Sequence, residues 1–185
     1  YLIEEVHQSH KYFYSKKNSW NKLQNQTLKY LIEFAKDNPN SRIILKGKTG
    51  VHKKNDFNLK IFPNNFTFIE GGPGEKYLRD AKVVIAFRSM VVFEAIASNR
   101  NLIIPNFNSE YPKKKELIFD IKNKKYFINT KDQFLKNLKN YLNSKYTNKP
   151  LSSKDKKTLR YYLGNTDGKS GQRVRKFLDK AINQH

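Results

Sequence analysis

The stretch from Lys82 to Pro105 (KVVIAFRSMVVFEAIASNRNLIIP) constrains the fold more than any other part of the chain. Lys82 to Phe87 reads as a buried strand, Arg88-Ser89 as a tight polar turn, Ser89 to Ser98 as an apolar helix, and Asn101 to Pro105 as a second buried strand. A single charge, Glu94, interrupts the apolar helix. A β-α-β unit with a small hydroxyl at the helix start and a lone carboxylate one turn further on points to a nucleotide site.

The chain around this unit repeats the alternation. Ser19 is expected to cap a helix in which Trp20, Leu23, Thr27, Leu28, Leu31, Phe34 and Ala35 recur at helical spacing. Asp37-Asn-Pro-Asn40 stops it, and Arg42 to Lys48 follows as a short strand. Thr49 to Asn58 reads as a polar loop, and Asn65 to Glu70 as a strand ended by the turn Gly71-Gly-Pro-Gly74. Glu75 to Asp80 makes a short helix. Beyond Pro105, a loop (106–115) precedes two weak strands, Glu116 to Asp120 and Tyr126 to Asn129. Thr130 then caps a helix carrying Phe134, Leu135, Leu138, Tyr141 and Leu142, and two more helices run over Lys154 to Leu163 and Ser170 to Ile182.

This order predicts an α/β fold, a Rossmann-like parallel sheet with helices on both faces and C-terminal helices beyond it. The expected organisation is an N-terminal segment or link over 1–19, a Rossmann-like ligand-binding domain over 20–150, and helices over 151–185 that pack on it or on a partner domain. Ligands of such sheets lie at the carboxyl ends of the strands. Lys46 and Lys48, Gly71 and Gly72, and Arg88 and Ser89 all fall at strand ends.

Composition narrows the function classes. With no cysteine, the chain has neither a disulfide framework nor a thiolate metal site, and it fits a reducing compartment. His7 and His10 lie three apart with no acidic third ligand, so no metal is expected. No apolar run reaches the roughly 20 residues a bilayer requires, and no signal peptide is visible. A cytoplasmic location, extending to the inner face of the cytoplasmic membrane, is expected. The net charge of +21 is spread along the whole chain rather than gathered in one arm. That disfavours a dedicated nucleic-acid binder and fits attraction to anionic membranes or phosphorylated substrates.

Each candidate residue has a bland reading beside the chemical one. Ser89 at a helix start offers a hydroxyl beside unpaired N–H groups, as a diphosphate requires, or is an ordinary cap. Glu94 can accept from ribose hydroxyls, or can lie on a narrow solvent-facing stripe. Arg88 presents a fork suited to phosphate, and Lys46 and Lys48 can offset charge on a leaving nucleotide; all three otherwise serve as surface cations. Gly71 and Gly72 permit close backbone approach to a base or phosphate, and a tight turn needs the same glycines. His52 is a weak candidate for a general base, with no visible partner. Asp167 and Gly168 read as a cap and turn before the last helix. From that helix Arg173 can reach an anionic ligand or water.

Ser89 through Pro105 resembles the Ser-x-x-x-x-Glu-Ala…Ile-x-Pro signature of the C-terminal nucleotide-sugar-binding domain of GT-B glycosyltransferases. The likeness is to bacterial capsular and surface polysaccharide transferases and to the related glycerophosphotransferases of teichoic acid synthesis. Pro39 to Lys48, Tyr77 to Ala86 and Asn165 to Arg173 are similar to flanking elements of that group, so the resemblance covers about residues 20 to 183. It implies that Ser89 contacts the diphosphate, Glu94 the ribose, and Lys46, Lys48 and Arg88 the phosphates. It further implies a nucleotide-activated sugar or polyol phosphate as substrate, no cofactor, a glycan or lipid-linked acceptor, and a missing N-terminal acceptor domain ahead of Tyr1. On that reading the fragment is inactive alone. Two departures stand out: Asn99-Arg-Asn-Leu replaces a smaller turn, and Lys-Gly-Lys-Thr-Gly (46–50) replaces the usual Lys-x-His or Lys-Pro turn. The alternatives are a sugar-nucleotide 2-epimerase-like enzyme and a non-catalytic module binding RNA or anionic lipid.

Overall fold

Four consecutive buried residues, Val83 to Ala86, can be accommodated only by a strand covered on both faces. The computed structural model describes residues 2–3, 19–47, 61–87, 89–107, 120–144, 150–165 and 167–182. Its elements in chain order are β1 (Leu2–Ile3), α1 (Ser19–Asp37), β2 (Ile43–Lys46), β3 (Phe66–Ile69), α2 (Glu75–Asp80), β4 (Val83–Ala86), α3 (Val91–Ala97), β5 (Asn101–Pro105), β6 (Phe127–Ile128) after a 3₁₀ turn at Lys124–Tyr126, α4 (Lys131–Asn143), α5 (Ser153–Leu163) and α6 (Ser170–Ile182).

The six strands form one sheet in the order β3-β2-β1-β4-β5-β6, and every pair is parallel. That is the doubly wound Rossmann order, in which the strand sequence reverses between β1 and β4. Side chains alternate between two cores as a period of two requires. On one face Ile43, Leu45, Phe66, Phe68, Val83, Ile85 and Ile103 meet α1 and α4 through Leu31, Phe34, Phe134 and Leu138. On the other, Val84, Ala86, Leu102 and Ile104 meet α2, α3 and α5 through Leu78, Phe93, Ile96 and Leu159. The expected α/β architecture with both faces covered is the one observed.

Three local features differ from the sequence expectation. Strand β1 lies in the 1–19 segment, read as a link with no strand of its own, and it sits in the centre of the sheet between β2 and β4. The apolar helix opens at Val91 rather than Ser89, because Ser89 and Met90 are consumed in a turn whose carbonyls accept from Val92, Phe93 and Glu94. The bulky turn after α3 is explained by Asn99, which takes the left-handed position at φ 54°. Arg100 N donates to Ala95 O at 2.8 Å and Asn99 N to Ile96 O at 3.0 Å, the paired bonds of a Schellman end in which asparagine stands in for glycine.

Long-range ties complete the frame. The Asn65 amide donates to the carbonyls of Ala35, Asn38 and Ser41 at 3.0, 3.0 and 2.8 Å, fixing the end of α1 against the start of β3. Lys131 pairs with Glu33 at 2.6 Å and joins α4 to α1. Among the described residues, no helix is long and apolar enough to cross a membrane.

Candidate functional site

Register decides which loops can meet. Ile3 is level with Lys46 on one side and Ala86 on the other, and Lys46 is level with Ile69. Four strands therefore end on one line. The turns that follow β3, β2 and β4, carrying Gly71-Gly72, Gly47 and Ser89, open onto a single rim at the carboxyl edge. From β3 to β4 that rim spans three strand spacings, roughly 14 Å. The strand-order reversal between β1 and β4, where such sheets bind ligands, lies within it.

Ser89 is buried, and its Oγ accepts from Val91 N at a long 3.4 Å. Among the described residues the hydroxyl has that one weak partner. It does not cap α3 in the expected manner; Met90 holds the cap position and no side chain bonds there. The hydroxyl instead sits one residue before the cap, in the turn that leaves β4.

Glu94 lies on the exposed stripe of α3, between buried Phe93 and Ala95. The carboxylate is therefore on the water side rather than inside the apolar packing. Among the described residues it makes no ion pair. Partial burial pushes its pKa up, and the charge of Glu75 adds to that rise. Glu75 is the first residue of α2, directly after the glycine turn. Sequence reading passed over Glu75, although an acid opening a helix straight after Gly-Gly-Pro-Gly was a visible signal.

Lys46 is a buried cation, only 3% exposed, and not the surface lysine of the bland reading. Its Nζ donates to Gly47 O at 2.9 Å and to Gly71 O. Burial pushes its pKa down, Tyr77 opposes this, and Lys76 adds a smaller downward push. The ammonium thus ties the end of β2 to the glycine turn after β3. Gly71 and Gly72 both sit at positive φ, 58° and 75°, a consecutive left-handed pair that side-chain-bearing residues rarely adopt. The lysine and the two glycines act as one unit that shapes the rim.

Asp167, Gly168 and Arg173 form a separate unit. Arg173 grips Asp167 with both terminal nitrogens, Nη1 to Oδ1 at 3.0 Å and Nη2 to Oδ2, and Lys169 N donates to Oδ1 at 3.0 Å. The Arg173 bond, with the Lys169 N–H, lowers the Asp167 pKa to about 2. Gly168 supplies the positive φ of the turn. These contacts are local to the start of α6, which buries no residue, and nothing among them joins the rim. Lys48, His52 and Arg88 lie outside the described residues.

A cavity of about 800 Å³ lies at the opposite edge, lined by Ile43, Ile44, Val83, Tyr77 and Leu142 among others. It lies at the amino ends of β2 and β4, away from Ser89. No group of three or more histidine, acidic or cysteine side chains suited to a metal occurs among the described residues. Comparison with protein-family models, with curated proteins and with solved structures gives no match.

Proposed function

We propose that the chain is the donor-binding half of a glycosyltransferase of the GT-B type, holding a nucleotide-activated sugar or polyol phosphate at the carboxyl rim. The observation that carries this reading is the level ending of β3, β2, β1 and β4, which gathers Ser89, Gly71, Gly72 and Lys46 along one edge at the strand-order reversal. In this reading the diphosphate lies against the turn after β4, where the Ser89 hydroxyl and the N–H groups opening α3 can donate. Exposed Glu94 accepts from the ribose hydroxyls. Its raised pKa, from partial burial and the nearby Glu75 charge, fits a carboxylate that gains from added hydroxyl donors. Lys46 contributes as a brace: by holding Gly71 O it presents the glycine backbone to the ligand. The acceptor is a growing surface glycan or its lipid-linked precursor, and the residues completing catalysis come from a second domain.

Calorimetric titration with UDP, CDP and CMP tests this directly. At least one nucleotide should bind, and Glu94→Ala should weaken it about tenfold, the loss of one charge-assisted pair. Because Glu94 is exposed, the variant keeps its fold, which thermal melting would verify. The reading fails if no nucleotide binds, or if the variant binds as well as the parent.

A further inference from the structure

Helix α6 has no buried residue. Val174, Phe177, Leu178 and Ile182 are 59%, 72%, 51% and 72% exposed. At 3.6 residues per turn these four, with Ala181, occupy one arc of about 140°. Arg175 borders the arc on one side, and Lys180 and Arg173 border it on the other, while Gln172, Lys176 and Asp179 lie behind. A helix with this division gains nothing by standing in water, because its apolar arc remains hydrated.

We propose that α6 seats on an anionic lipid surface, its apolar arc in the acyl boundary and its basic borders at the headgroups. This goes beyond the donor-site reading and does not depend on it. Three features favour lipid over other occupants. First, Arg175 and Lys180 flank the arc on its two sides, Arg175 held only by a long, exposed 3.9 Å pair with Asp179. This suits an amphipathic helix lying in the plane of an interface, where Lys and Arg stems reach outward to phosphates. Second, the chain as a whole carries a net charge of +21, which adds a long-range pull toward an anionic leaflet. Third, a second copy and an RNA fit poorly. Two copies meeting arc to arc would bring equally basic borders together, with like charges opposed. An RNA would be held by cations and stacking, yet the arc is aliphatic except for Phe177. The Arg173–Asp167 clasp fixes where the helix begins, so the arc starts at a defined turn of the chain.

The absence of cysteine makes the geometry measurable, since a single introduced thiol can be labelled uniquely. Ala181→Cys lies in the middle of the arc and Gln172→Cys diametrically opposite. Each is labelled with the environment-sensitive dye NBD and mixed with vesicles of phosphatidylcholine containing about one third phosphatidylglycerol. The label at 181 should brighten several-fold and shift to the blue, the label at 172 should stay at its aqueous emission, and pure phosphatidylcholine should give a much smaller response. Phe177→Asp with Leu178→Asp should cut vesicle co-sedimentation about tenfold or more, with unchanged melting because neither side chain is buried. Equal responses at 181 and 172, or none at 181, would overturn the proposal. So would a label at 181 that is already blue before vesicles are added, in a chain sedimenting as a dimer, which assigns the arc to a second copy. A random RNA oligonucleotide that produces the shift at 181 would also overturn it.

Discussion

Helices α5 and α6 follow one another, both divide their apolar and charged residues cleanly, and they end in opposite situations. α5 buries Asp155, Thr158 and Leu159 against α3 and the segment before β6, with Leu159 only 1% exposed. α6 buries nothing. The difference comes from what each offers its surroundings. α5 begins with a reciprocal cap, in which Ser152 Oγ accepts from Asp155 N at 3.2 Å and donates to Asp155 Oδ2 at 2.6 Å. The same carboxylate then accepts from Asn123 Nδ2 at 3.1 and 3.2 Å, so the cap is also a tertiary clasp on the turn before β6. Tyr126 beside it has its pKa raised, chiefly by burial and then by the Asp155 charge. α6 has the matching local clasp, Asp167 with Arg173, but both partners are on its own turn. Amphipathicity makes a helix; a partner outside the helix decides where it goes.

Truncating one leucine in each helix should expose this contrast most strongly. Leu159→Ala removes a fully enclosed side chain and should destabilise the domain by about 3 kcal/mol, the lost transfer energy plus the cavity. Leu178→Ala should stay within about 0.5 kcal/mol, since that side chain is half exposed and meets no core. Urea denaturation followed by circular dichroism reads both. Comparable losses would mean that α6 packs on the domain in solution, and the contrast would break.

Asp155→Ala should come next, at about 2 kcal/mol, because the clasp rather than the apolar stripe is being cut. It leaves the Asn123 amide with only a long 3.4 Å bond to Ser152 Oγ, and Ser152 without half of its cap. Asp155→Asn should recover part of the loss, since an amide oxygen can still accept. If both variants melt like the parent, the clasp does not distinguish α5 from α6.

Much of the fold was legible because its signals are local. Glu75–Asp80, Asn101–Pro105 and Ser170–Ile182 follow from periodicity and from the glycine, asparagine and proline that bound them. What escaped is non-local. Leu2–Ile3 is too short to show a period of two, and only its neighbours β2 and β4 make it a strand. Lys46 is one lysine among many, and its burial depends on a carbonyl at Gly71, 25 residues away. Ser89 and Glu94 were both findable from the helix pattern, but their environments were not. A shift of two residues in the start of α3 moved Ser89 out of the cap position. Whether Glu94 faced packing or water depended on how α3 lies against β4 and β5. The candidate rim was thus readable as a set of strand ends, while its bracing and electrostatics required the sheet.

The smallest effect concerns the clasp of α6 itself. Asp167 has a pKa of about 2 in the folded chain, against an ordinary value of 3.8, with Arg173 as the main cause. A depressed carboxylate stabilises its structure above the unfolded value and loses that contribution as pH falls through the folded one. The Asp167–Arg173 pair should therefore hold fully above about pH 4 and loosen between there and pH 2, with no change in the neutral range. Both groups are about half exposed, so salt screens the pair and its share of global stability is small. The Asp167 side-chain carboxyl carbon resonance, followed by NMR from pH 5 to pH 1.5, should titrate well below the exposed aspartates, and Arg173→Gln should move it back toward them. Meanwhile the melting temperature at neutral pH should hardly respond to Arg173→Gln. A clear drop would show that the clasp reaches beyond its own turn, as Asp155 does in α5, and the two helices would differ in degree rather than in kind.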